Sequence, residues 1–179
     1  ACRAHPHRVV VVDRDPLPRN LTDWAEAAEP GDKPWAFDFP DDARPEVLRQ
    51  LRAEDRWDTI LVDTPGSLDP SAADRIGLVL DAADFVLMPM EPAPMSVGPL
   101  RRTIASLIEP RGLPYRVLLS RVGRDEVDRK DRDDTFAMLD NLGLPRLRTS
   151  IRQYHVHKMA AVTGEVVTDY QRLRQTVGG

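Results

Sequence analysis

Cysteine is almost absent from this sequence, and long apolar runs are missing altogether. One cysteine, Cys2, occurs among 179 residues, so an internal disulfide is excluded and a reducing compartment is indicated. No apolar run approaches the roughly 20 residues of a membrane-spanning helix, and no signal-peptide pattern opens the chain. These absences predict a soluble cytoplasmic protein.

The sequence also lacks a strong excess of charge of either sign. Its formal net charge is -4, so it has no global basic field that would attract nucleic acid, and any such contact would need a local basic patch. Hydrophobic residues make up 41% and charged residues 30% of the chain, which suits a globular core. The length suits one domain, which we expect to span residues 1–179.

Two short apolar stretches each run directly into an aspartate. The stretch at 59–62 ends in Asp63, before a Thr-Pro-Gly turn, and the stretch at 9–12 ends in Asp13, with Asp15 two residues later. Short β-branched runs are typical of strands buried on both faces. Since ligands of open α/β sheets bind beyond the carboxyl ends of the strands, these aspartates are candidates for holding Mg²⁺-bound water or orienting an attacking water. The alternative is purely structural, with Asp63 capping a strand that ends in a turn.

Strand patterns and helical patterns alternate along the rest of the chain. Further strands are predicted at 85–90, 115–119 and 147–151, with a weak edge strand at 35–39. Helices are predicted between the strands, among them 100–109, 155–162 and 167–176. This alternation predicts an α/β protein with a mainly parallel β-sheet and helices on both faces.

Four segments, taken in order, resemble the ParA/MinD superfamily, whose ParA-type members are partition ATPases. They are the strand end Asp13-Arg14-Asp15-Pro16 with the Thr22-Asp23-Trp24 that follows, the strand and turn at 58–67, the segment at 83–92, and the stretch at 150–164. Their order and spacing are similar to those of the superfamily and span almost the whole chain. The resemblance implies a P-loop NTPase-like fold and an enzyme that hydrolyses ATP to drive plasmid or chromosome segregation.

The resemblance also implies roles for the strand-end aspartates. Asp15 corresponds to the aspartate that orients the hydrolytic water, Asp63 to the Walker-B carboxylate, and Asp13 to a companion carboxylate near Mg²⁺. ATP and Mg²⁺ are the implied cofactors, with the metal held by Asp13 and Asp63 through bound water. Phosphoryl transfer needs positioning and charge neutralisation more than covalent chemistry, so carboxylates gathered around one Mg²⁺ suit it.

A second group of residues is implied to contact nucleotide or DNA. Ser120 and Arg121 occupy the place of an Asn-Arg pair that contacts the adenine, and the region of Arg152 and Gln153 matches a nucleotide-facing loop. ParA relatives bind DNA without sequence preference, and the basic residues implied for that contact are Arg146, Arg148 and Lys158. The implied partners are a ParB-like or centromere-binding protein, non-specific DNA and a second copy of the chain, on the bacterial nucleoid and not on a membrane.

The superfamily's phosphate loop is a motif that the sequence does not contain. No Gly-x-x-x-x-Gly-Lys followed by Ser or Thr occurs, so the backbone cradle and lysines that hold phosphates are missing from these 179 residues. We expect an N-terminally truncated ParA-like domain whose sheet lacks its first strand, inactive as it stands. Two alternatives stay open: a ParA-derived binding or dimerisation module without catalysis, and a small GTPase, since Asp63 to Gly66 also fits Asp-x-x-Gly.

Overall fold

The computed structural model describes residues 7–15, 20–27, 37–40, 45–66, 70–164 and 166. Contacts divide the chain into two compact units, residues 1–82 with 156–179 and residues 83–155. Each unit is built on a parallel β-sheet flanked by helices, so the predicted α/β class is confirmed. The prediction of a single domain over residues 1–179 stays a prediction.

The first unit holds a two-stranded parallel sheet. Strand β1 (Val9–Asp13) pairs with β2 (Thr59–Asp63) in continuous register along their full length. Its helices before and after β2 are α1 (Asn20–Glu26), α2 (Pro45–Ala53) and α3 (Pro70–Leu80). An isolated parallel bridge from Asp38 to Val10 is all that the described residues show of the edge strand predicted at 35–39.

The core of this unit lies between the sheet and two helices. Val10 and Val12 of β1 are almost fully buried and pack with Leu48 of α2 and Val79 of α3. The helices cover the sheet there because their apolar residues recur on one face at helical spacing. Burial of β1 fixes the strand that leads to Asp13.

Strand β2 differs from the prediction of burial on both faces. Its alternate residues Thr59, Leu61 and Asp63 are exposed, Leu61 to 53%. A strand is buried only on a face that another layer covers. Of the β2 residues, Ile60 and Val62 are the ones that pack against the described core. The uncovered face leaves the Asp63 side chain only partly buried.

The second unit holds a three-stranded parallel sheet in the order β3–β4–β5. In chain order its elements are β3 (Val86–Met90), α4 (Pro94–Thr103), β4 (Tyr115–Val122), α5 (Glu126–Asn141) and β5 (Arg146–Arg152). A π-helical turn at Ile104–Ile108 and a 3₁₀ turn at Glu109–Arg111 continue α4. The core joins one face of the sheet to these helices, with Leu119 of β4 and Leu139 of α5 fully buried.

Helix α4 begins at Pro94, earlier than the predicted start at 100. Proline is tolerated in a first helical turn because its missing N–H would have no partner within the helix there. Pro99 lies inside the helix, and its carbonyl oxygen accepts the Thr103 hydroxyl at 3.2 Å. Pro94 and Pro99 are therefore both accommodated within α4.

The chain returns to the first unit with helix α6 (His155–Thr163). Trp24 of α1 donates its Nε1–H to the Ala160 carbonyl of α6 at 3.1 Å and stacks on Phe37, with 5.8 Å between ring centroids. The helix predicted at 167–176 lies outside the described residues. Within the described ranges, no helix is long and apolar enough to cross a membrane.

Candidate functional site

The strand-end aspartates of the first unit lie side by side. Asp13 and Asp63 are register partners at the carboxyl ends of β1 and β2. The Arg14 N–H donates to the Asp63 carbonyl at 2.9 Å and continues the ladder past both residues. Parallel strands bring their carboxyl ends to the same edge, so the sequence predicts this juxtaposition. The roles of the two side chains stay predictions.

The carboxylate of Asp13 accepts hydrogen bonds from within the chain. Its Oδ1 accepts the Asp15 N–H at 2.9 Å, and its Oδ2 accepts the Thr22 N–H at 3.0 Å and the Thr22 hydroxyl at 2.8 Å. Thr22 lies in the first turn of α1, where N–H groups have no partner within the helix and negative charge is favoured. Sequence reasoning missed this role of Thr22, because no rule of helix or strand spacing predicts a contact between residues nine positions apart.

Asp63 carries a carboxyl group whose pKa is raised above its ordinary value. Partial burial is the largest cause, the charge of Asp13 the next, and the charge of Asp15 adds to them, while a hydrogen bond from the Thr64 N–H lowers the pKa. The raised pKa thus reflects burial first and the negative charge of Asp13 and Asp15 second, and a divalent cation would offset the repulsion from these two charges. Asp15, partly buried two residues beyond β1, is close enough to contribute.

The strand-end aspartates supply too few ligands for a metal site that consists of protein side chains alone. In the part of the chain that the structure describes, no group of three or more His, Cys, Asp and Glu residues could hold a metal ion. Mg²⁺ in phosphoryl-transfer sites usually takes one or two carboxylates and fills its other positions with water and substrate phosphate. Asp63, with the charge of Asp15 acting on it, fits that second kind of site.

The residues implied to contact nucleotide meet at the carboxyl ends of β4 and β5 in the second unit. Val122 of β4 is the register partner of Arg152 in β5, and the Gln153 N–H donates to the Val122 carbonyl at 2.8 Å. The side chains of Arg152 and Gln153 are exposed. The structure thus places Ser120, Arg121, Arg152 and Gln153 along one edge of this sheet, and their contact with nucleotide stays a prediction.

The Ser120–Arg121 pair lies in an irregular part of β4. The register with β5 shifts here, and Arg121 has a φ of 55°, in the left-handed region, which costs a non-glycine residue roughly 1–2 kcal/mol. The Arg121 guanidinium donates to Glu91 at 2.8 Å, and the Ser120 hydroxyl donates to the Met90 carbonyl at 3.5 Å. Such bulges re-aim side chains and are frequent beside functional sites.

The basic residues implied to contact DNA have different surroundings. Arg146 donates from Nε and Nη2 to the two oxygens of Asp140 at 2.8 and 2.7 Å, and its guanidinium lies 4.1 Å from the Phe136 ring centroid. The Arg146 guanidinium is therefore already paired with a carboxylate of the second unit. Arg148 is exposed on β5, and the side chain of Lys158 lies outside what the structure describes. Of these predicted contacts, Arg148 offers the more accessible charge to a phosphate.

No protein-family model matches the chain. A curated relative, maintenance of carboxysome distribution protein A of Gloeobacter kilaueensis, is 31% identical over 187 residues that cover 98% of this chain and 82% of the relative. Because the match runs along almost the whole chain, it includes both units.

Solved structures show a similar fold at lower identity. MinD in the MinC:MinD cell division protein complex of Aquifex aeolicus superposes with a TM-score of 0.71 at 16% identity, covering 93% of this chain and 77% of that chain. Apo McdA of Cyanthece superposes with a TM-score of 0.63 at 17% identity, covering 92% of this chain and 81% of that chain. The predicted P-loop NTPase-like class of fold is confirmed by these superpositions.

Proposed function

Because this chain belongs to the ParA/MinD superfamily, with a carboxysome distribution protein A among its relatives, we propose that it is an ATPase that positions a large cellular cargo. The observation that carries the proposal is the meeting of Asp13 and Asp63 at one strand edge, within range of the charge of Asp15. A carboxysome is the first candidate cargo, since the relative's name concerns carboxysome distribution. A plasmid or chromosome is the second.

In this proposal the aspartates supply what phosphoryl transfer needs. When Mg²⁺ and ATP are bound, Asp63 would hold a water of the Mg²⁺ shell, and Asp15 would orient the attacking water. Mg²⁺, when bound with ATP, neutralises the negative charge that develops on the phosphoryl group. The register pairing of Asp13 with Asp63 supports the assignment, and the pKa of Asp63, raised by burial and then by the charges of Asp13 and Asp15, is consistent with it, because a cation would relieve the repulsion between these charges.

Hydrolysis of ATP by the full chain, with and without Mg²⁺, tests the proposal. Asp15→Asn and Asp63→Asn each keep the size of the side chain and remove its charge, and each is expected to lower kcat at least ~100-fold. Asp74→Asn is the matched control, because Asp74 is an exposed aspartate of α3 in the same unit. Activity that survives in both strand-end variants would refute the assignment.

A binding or dimerisation module without catalysis is the second candidate function. The absence of a Gly-x-x-x-x-Gly-Lys sequence among the 179 residues favours it, because that loop cradles phosphates. A folded chain that binds neither ATP nor GTP would support the module. Binding of GTP in preference to ATP would instead revive the small-GTPase hypothesis.

Partners of the ATPase are part of the same proposal. We expect an ATP-dependent homodimer that contacts non-specific DNA of the nucleoid and a ParB-like or cargo-bound regulator protein. Arg148 is proposed as a DNA contact because it is exposed. Arg148→Ala should weaken DNA binding and lower the slope of log affinity against log salt by about one. Arg129→Ala, at an exposed site on α5, is the control and should leave the slope unchanged.

A further inference from the structure

We propose that Asp13 and Thr22 form a clamp that positions Asp15, so that Asp13 acts through the backbone and not as a ligand of Mg²⁺. The Asp13–Thr22 clamp consists of the Thr22 N–H and hydroxyl on Oδ2 of Asp13, together with the Asp15 N–H on Oδ1. The inference rests on the proposed function, since Asp15 must be held in place if it orients an attacking water.

The donors that face Asp13 occupy most of its acceptor sites. Each carboxylate oxygen has about two lone-pair sites, and Oδ2 accepts two hydrogen bonds from Thr22, at 3.0 and 2.8 Å. Among the described residues, Oδ1 accepts the Asp15 N–H at 2.9 Å. A metal that displaced these donors would leave N–H groups of Asp15 and of the first turn of α1 without a partner, which is costly in a partly buried place.

Both ends of the clamp belong to parts of the first unit that are themselves fixed. Asp13 follows Val12, which is 0% exposed, in a strand fully paired with β2. Thr22 lies two residues before Trp24 in α1, and Trp24 stacks on Phe37 and donates to the Ala160 carbonyl. Asp15 is bonded through its backbone to the same carboxylate that joins these two parts. A carboxylate held in this way can keep a water in line for attack, and small misplacements at such positions are costly.

Steady-state kinetics of the full chain with Mg²⁺ and ATP separate positioning from metal binding. Thr22→Val keeps the shape of the side chain and removes its hydroxyl, so we expect kcat to fall about tenfold, the effect of one hydrogen bond to a charged group. The KM for ATP and the Mg²⁺ concentration for half-maximal rate should stay within about twofold, because binding is unaffected. Thr22→Ser keeps a hydroxyl and should restore kcat.

Thr103→Val is the matched control, because the Thr103 hydroxyl also donates to an oxygen of the chain, the Pro99 carbonyl, but in the second unit. It should leave kcat unchanged. A Thr22→Val variant that requires more Mg²⁺ at an unchanged kcat would overturn the proposal and return Asp13 to the metal. An unchanged kcat and an unchanged Mg²⁺ requirement would overturn it as well.

Amide hydrogen exchange tests the clamp without any nucleotide. In Asp13→Ala the N–H groups of Asp15 and Thr22 lose their acceptor, so their exchange should accelerate at least ~10-fold relative to the amides of β2. Equal protection in the variant and the parent would overturn the clamp. If the parent hydrolyses no nucleotide but Asp13→Ala shows the accelerated exchange, the proposed function alone is refuted, so the two failures are distinguishable.

Discussion

Single residues of β2 and the turn before it show how position sets the charge of an aspartate. The pKa of Asp63 is raised, chiefly by partial burial and then by the charge of Asp13. The pKa of Asp58 is lowered to about 2, chiefly by the side-chain hydrogen bond from Arg8 and then by the Arg8 N–H. The two carboxylates lie five positions apart in the sequence, so a pattern of residue types alone does not separate them. Their opposite shifts predict opposite dependences of stability on pH.

Asp63→Asn is expected to make the protein more stable at neutral pH. A carboxyl group whose pKa is raised in the folded state favours folding below its unfolded pKa near 4, and this contribution is lost as pH rises through the folded pKa. The variant removes the charge, so its Tm should exceed that of the parent at pH 7 and match it near pH 3. Thermal unfolding followed across that range measures the difference. A variant less stable than the parent at pH 7 would show that Asp63 serves the fold and not a site.

Asp58→Asn should have the opposite effect. The Asp58 carboxylate accepts the Arg8 N–H at 2.8 Å and a side-chain bond from Arg8 at 2.9 Å, which joins the start of β1 to that of β2. A lowered pKa gives a contribution that is present above about pH 4 and is lost as pH falls towards about 2. We therefore expect a lower Tm at pH 7 and a difference that disappears in acid. Glu54→Gln, at an exposed neighbouring residue, is the control, and an equal loss there would contradict the assignment to Arg8.

At the scale of elements, the start of helix α5 depends on a glycine that the sequence does not mark. Asp125 Oδ1 accepts the Asp128 N–H at 2.7 Å and Asp128 Oδ2 accepts the Asp125 N–H at 3.1 Å, a reciprocal capping box. A Cβ added at Gly123 would overlap the Asp128 carboxylate. Gly123→Ala should therefore displace Asp128 from the cap and cost about 0.5–2 kcal/mol in the free energy of unfolding, measured by urea denaturation.

Gly98→Ala is the control for this glycine. A Cβ at Gly98, inside α4, would meet only Arg102 Nη1 at an ordinary 3.6 Å. The alanine should stabilise the helix by up to about 1 kcal/mol, because glycine loses more conformational entropy in a helix. A Gly123→Ala variant as stable as the parent would show that the cap adapts and that the close approach is unimportant.

The elements also show how far sequence reasoning reaches. The juxtaposition of Asp13 with Asp63 follows from two apolar runs that each end in an aspartate, because parallel strands align their carboxyl ends. The hydrogen bonds from Thr22 to Asp13 and from Arg146 to Asp140 cannot be predicted from such patterns, because they depend on where the folded chain places each side chain. Periodicity and strand-end rules predict elements and edges, whereas partners across a turn are set by packing.

At the scale of the whole molecule, the chain belongs to a superfamily of ATPases, but its 179 residues contain no Gly-x-x-x-x-Gly-Lys sequence. The fold and the aspartates favour nucleotide binding, and the missing loop opposes it. A ligand that binds only the folded state stabilises it, by about 2.7 kcal/mol at 100 times its Kd. For a chain of this length that stabilisation corresponds to a rise in Tm of roughly 5–10 °C. Thermal stability with nucleotide therefore decides between the ATPase and the binding module.

ATP with Mg²⁺ is expected to raise the Tm of the full chain by that amount, and GTP with Mg²⁺ is expected to raise it less. Asp63→Asn makes the test specific, because the variant should be more stable than the parent without nucleotide and yet gain less from ATP and Mg²⁺. That reversal is expected only if the negative charge that destabilises the folded chain is also the charge that holds the cation. If Asp63 were purely structural, its replacement would lower both the Tm without nucleotide and the rise in Tm with ATP and Mg²⁺. The absence of any shift with ATP in a cooperatively unfolding parent would leave the binding module as the function.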